Sequence, residues 1–138
     1  MTDRTGFRRA CYVVARSTGA TVLEFRLSSG TMPGFDQCLV DWRGRAVAVV
    51  RTVEAAVLAI AEPRAIDFAD GHMEWGPLTF VDVPELVVAL AEQSEFQVLT
   101  PAELDGPFDP AAWPHVLASD VKYWRPGNLG EALFNYWD

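Results

Sequence analysis

Apolar and polar residues alternate on both sides of Thr18-Gly19, and that pattern predicts a β-hairpin with Tyr12 opposite Phe25, Val14 opposite Leu23 and Ala15 opposite Val22. Tyr12, Val14, Leu23, Phe25 and Leu27 would share its buried face, leaving Arg16, Glu24 and Arg26 to water or to one another. Arg43-Gly44 predicts a second hairpin, which pairs Val40 with Val47 and Cys38 with Val49. The same stretch also fits a short helix over 35 to 42 ended by Gly44, since Phe35, Cys38, Leu39 and Trp42 recur at i, i+3, i+4 and i+7. Asp70-Gly71 predicts a third hairpin, because this dipeptide accepts the positive φ angles of a two-residue type I′ turn. Phe68 would then face Met73, and Ile66 would face Trp75.

Helix starts recur as a cap followed three residues later by Glu, at Asp82 to Glu85, Thr100 to Glu103 and Asn128 to Glu131. The first predicts a helix over 83 to 93, with Leu86, Val87, Leu90 and Ala91 on its apolar stripe and Pro84 harmless in the first turn. Thr52 predicts a helix over 53 to 62 that stops at Pro63. Phe96 to Leu99 reads as a buried strand. The prolines between Pro101 and Pro114 predict a helical turn and a surface loop. Leu129, Leu133, Tyr136 and Trp137 predict a terminal helix over 129 to 137 docked on the core. Asp138 would sit at the negative end of that helix dipole, so Lys122 or Arg125 is expected beside it.

These elements add up to an α+β fold: a mainly antiparallel sheet built from hairpins, packed against about three helices. At 138 residues, without a linker or repeat, the chain is expected to form a single globular domain over 1–138. It contains no apolar run near the roughly 20 residues that span a bilayer. Met1 to Ala15 lacks the cleavage pattern of a signal peptide, which predicts a cytoplasmic protein. Ten arginines against one lysine, with only two isoleucines, suggest a GC-rich bacterial genome.

Charge changes the picture. The net charge is -8, which makes nucleic-acid and anionic-membrane partners poor fits. Residues 1 to 61 hold eight arginines and five acids, whereas residues 62 to 120 hold twelve acids and only Arg64. Such a middle steers a basic partner, and it also keeps a monomer or homodimer soluble.

The predicted Asp70-Gly71 hairpin concentrates this chemistry. It would oppose Asp67 to Glu74, with His72 close by, and two like charges facing each other call for compensation by water, a cation or a basic partner. With Trp75 as an aromatic anchor, Asp67, Asp70, His72 and Glu74 form the candidate partner-binding patch of a non-enzymatic interaction protein of the inhibitor or immunity type. Asp67, His72 and Glu74 are alternatively the polar set of a small metal-assisted hydrolase, with the metal unknown. Trp113, Tyr123, Trp124 and Arg125 are candidates for a small-ligand pocket. No nucleophile elbow, zinc-protease motif, phosphate-binding loop or dinucleotide fingerprint occurs, and no cofactor is expected. Cys11 and Cys38 lie in apolar patterns, where free cysteine acts as a small hydrophobe.

Overall fold

A computed structural model describes residues 4–27, 35–52, 57–63, 66–67, 72–73, 78–93, 96–113, 122 and 125–134. The chain begins with a helix, α1 (Arg4–Thr18), and not with the first arm of a hairpin. Phe7, Ala10, Cys11, Val14 and Ala15 are its buried hydrophobic positions, a spacing of three and four that belongs to a helix. The alternation over Tyr12, Val14 and Arg16 is therefore incidental, and Tyr12 is 52% exposed. Gly19 ends the helix at φ 80, donating its N–H to the Ala15 carbonyl at 3.0 Å, which is the left-handed helix cap. Tyr12 does approach Phe25, with ring centroids 5.8 Å apart, but it does so from a helix packed over the strand.

A five-stranded sheet follows in the order β1 (Thr21–Arg26), β2 (Phe35–Trp42), β3 (Arg45–Thr52), β4 (Val57–Ala61) and β7 (Gln97–Val98). All neighbours are antiparallel except β4 and β7. In β1 a bulge between Val22 and Glu24 breaks the predicted inward row, and Leu23 is 54% exposed. Arg26 pairs with Glu24 at 2.7 Å, so these two charges do satisfy each other. The β2–β3 hairpin has the predicted register, Val40 with Val47 and Cys38 with Val49, which excludes the helical alternative for 35 to 42. Arg43 and Gly44 both have positive φ, and the Gly44 N–H donates to Asp41 Oδ1 at 2.9 Å.

Where a helix over 53 to 62 is predicted, Val57–Ala61 form β4, in which every residue is buried, and residues 53–56 lie outside the described residues. A central strand covered on both faces reads as a continuous apolar run, and such a run carries no period to tell it from a buried helix. A separate two-stranded hairpin is formed by β5 (Ile66–Asp67) and β6 (His72–Met73).

Helices cover both faces of the sheet. Alternate residues of the strands point to opposite sides, so Cys38, Val40, Val47, Val49, Leu58 and Ile60 join α1 and α2 (Pro84–Ala91) in one core. Ala48, Val50, Val57, Ala59 and Ala61 join α3 (Pro101–Leu104) and α4 (Leu129–Leu133) in the other. The start of α2 differs from expectation: the cap position is Val83, whose side chain is buried in the core and makes no capping bond. Pro84 opens the helix, and Asp82 stands one residue too early to cap it. Thr100 and Glu103 form the expected reciprocal capping box, and Asn128 accepts from the Glu131 N–H at 2.9 Å. The terminal helix is shorter than predicted, leaving helical geometry at Phe134 (φ -103, ψ 64), which is buried against Phe80. Tyr136, Trp137 and Asp138 lie outside the described residues, and with them the expected pairing of Asp138. Among the described residues no helix is long and apolar enough to cross a membrane.

Candidate functional site

The predicted acidic hairpin exists, but with its register shifted by two residues. Ile66 pairs with Met73 and Asp67 with His72, so four residues and not two connect the arms. In the ladder Asp67 lies opposite His72, where the two-residue turn would have set it opposite Glu74. Asp70, Glu74 and Trp75 lie outside the described residues.

The stem of this excursion is well fixed. The Glu62 N–H donates to the Thr79 carbonyl at 2.8 Å, Ala61 bridges to Phe80, and the Val81 N–H donates to the Ile60 carbonyl at 3.0 Å. The chain thus leaves β4 at Glu62 and returns beside it at Thr79, so the hairpin springs from the end of a central strand.

Beside that stem lies a half-open cavity of about 390 Å³. Leu78, Phe80 and Leu104 give it an apolar wall, and Asp105, Asn128 and Glu131 give it polar rims. Two local features shape it. The Leu129 N–H donates to the Gly106 carbonyl at 2.9 Å, which ties α4 to the end of α3. Gly130 lies so close to Phe80 that a Cβ there would stand 2.6 Å from the ring, so glycine is what lets α4 and Phe80 approach. The seven acids of residues 62 to 120 whose side chains the structure describes, Glu62, Asp82, Glu85, Glu92, Glu103, Asp105 and Asp109, are exposed. Among the described residues only Glu85 of these is held in an ion pair, with Arg43 at 3.0 Å.

Of the proposed aromatic pocket, Trp113 is partly buried against the α3–α4 core and Arg125 is exposed with φ 49. Tyr123 and Trp124 lie outside the described residues. Among the described residues there is no group of three or more His, Cys, Asp or Glu that could hold a metal ion.

Two contacts under α1 escaped the reading of the sequence. Asp36 and Arg51 form an ion pair at 2.7 Å, with the Asp36 side chain fully buried and that of Arg51 6% exposed, and the Arg51 guanidinium lies 5.7 Å from the centre of the Phe7 ring. This pair was available in the predicted β2–β3 register, which sets Asp36 opposite Arg51 once it is extended past Cys38. The second sets the Cys11 and Cys38 thiols, both free and buried, as neighbours in one core cluster. The neighbouring Cys38 thiol, together with burial, pushes the Cys11 thiol far above its ordinary value and keeps it protonated. No sequence signal announces it, because it depends on α1 being a helix.

No protein-family model matches this chain, and no curated protein or solved structure matches it either.

Proposed function

We propose that the chain is a non-enzymatic bacterial interaction protein, working in the cytoplasm, that presents its acidic middle segment to a basic protein partner as an inhibitor or immunity-type protein does. The observation that carries this reading is the exposure of the seven acids between residues 62 and 120 whose side chains the structure describes. Carboxylates that are neither buried nor, Glu85 apart, held by ion pairs keep their field available to a partner. In this reading the segment with Asp67, Asp70, His72 and Glu74 is the centre of the binding surface, and the cavity beside the stem of the hairpin suits a lysine or arginine side chain. Its apolar wall of Leu78, Phe80 and Leu104 would receive the aliphatic stem, and Asp105 and Glu131 the charged end. Trp75 supplies the aromatic anchor.

Electrostatic steering acts on the rate of encounter and is screened by salt. The test is the association rate of a basic partner, captured from the native cell and purified, measured from low to high ionic strength. The rate is expected to fall by a factor of about 10 or more over that range, and Asp67→Asn/Asp70→Asn/Glu74→Gln should flatten the dependence. A rate indifferent to both salt and the triple substitution would contradict the proposal.

A further inference from the structure

Cys11 and Cys38 are the only cysteines in the chain, 27 positions apart in sequence, and the fold buries both in one core cluster where the helix α1 packs on the sheet that contains β2. The two thiols form one rung of a matched pair. One turn of α1 separates Phe7 from Cys11, a rise of about 6 Å, and two residues of β2 separate Asp36 from Cys38, about 6.6 Å. Phe7 meets Arg51, the partner of Asp36, on one rung, and Cys11 neighbours Cys38 on the next. Similar repeats keep both rungs in step, so the thiols are held as neighbours by the docking of the whole helix.

We infer that Cys11 and Cys38 are a disulfide-forming pair, a modification site at which oxidation clamps α1 to β2 and reduction releases it. The reactant is a low-molecular-weight disulfide. A thiolate of one cysteine attacks it, breaking its S–S bond and releasing one small thiol; the other cysteine attacks the mixed disulfide, forming the Cys11–Cys38 bond and releasing the second. The protein loses two electrons, and the small disulfide gains them as two thiols. Burial shields both sulfurs, and the neighbouring Cys38 thiol keeps Cys11 protonated, so the reaction waits for α1 to lift from the sheet. Once closed, the link constrains the loop that contains β1 in the unfolded chain.

The test needs only the native chain, equilibrated in glutathione buffers from fully reduced to fully oxidised. Thiols are counted after acid quenching and denaturation, and chain size is read on a non-reducing gel. Both thiols are expected to disappear in a monomeric chain, faster in mild urea, with Tm rising by about 10 °C and returning when dithiothreitol is added. Cys11→Ala and Cys38→Ala should each lose this response; if either fails to fold, the native chain still decides. Two thiols persisting in fully oxidised buffer would overturn the inference, as would their loss to intermolecular dimers or stable glutathione adducts, or an internal disulfide that leaves Tm unchanged.

Discussion

The two faces of the sheet are covered in different ways. On one, α1 lays 15 residues along the strands, assisted by α2, and beneath it lie a buried ion pair and two neighbouring buried thiols. On the other, α3 and α4 are helices of four and five residues, far below the length at which a helix holds itself together. They persist through the Thr100 and Asn128 caps and the apolar contacts of Leu104, Leu129 and Leu133, and a cavity remains between them. The difference separates two tasks. The α1 side is held down along a 15-residue helix, which suits stability, and the α3–α4 side is short, capped and indented beside the stem of the acidic hairpin, which suits the proposed recognition of a basic partner.

The comparison breaks most severely at Asp36. Asp36→Ala leaves a guanidinium buried without its carboxylate and should cost about 3–5 kcal/mol in urea unfolding, whereas replacing both residues by apolar ones of similar volume, as in Asp36→Leu/Arg51→Met, should cost far less. Equal losses in the single and double variants would show that the pair is not what matters there. On the other face, Gly130→Ala should cost about 1–3 kcal/mol, because the Phe80 ring must move away from the new Cβ. Adding Phe80→Leu should recover part of that loss; a neutral Gly130→Ala would mean that this face is looser than its packing indicates.

Alkali sharpens the contrast more gently. Cys11 stays protonated in the folded chain but ionises around its ordinary value of 9.0 once unfolded. Above that pH the unfolded state binds fewer protons than the folded one, so stability is complete below pH 9.0 and falls above it, by at most about 1.4 kcal/mol per pH unit. Urea titrations at rising pH should show this slope in the native chain and a shallower one in Cys11→Ala. An identical slope in both would remove Cys11 as its source.

How far the sequence spoke depended on what kind of signal each segment carried. Arg43-Gly44 fixed a register because both residues take positive φ, and Thr100-Glu103 fixed a helix start because both side chains close on the backbone. Thr18-Gly19 carried two meanings, since a glycine with positive φ ends a helix as readily as it turns a hairpin, and burial of Phe7, Ala10, Cys11 and Val14 decided between them. Val57 to Ala61 had no period to read, because both of its faces are covered. The acidic hairpin was legible as an element but not in register, since a turn dipeptide does not reveal how many residues the loop takes up. The dithiol and the cavity are products of packing, and local pattern does not record them.

The division of tasks is tested most directly by hydrogen exchange on the chain with and without its captured basic partner. Binding is expected to slow exchange across residues 66–73 and through α3 and α4, while α1 and α2 exchange as they do in the free protein. Protection centred on α1 and α2, with the hairpin unchanged, would contradict the account.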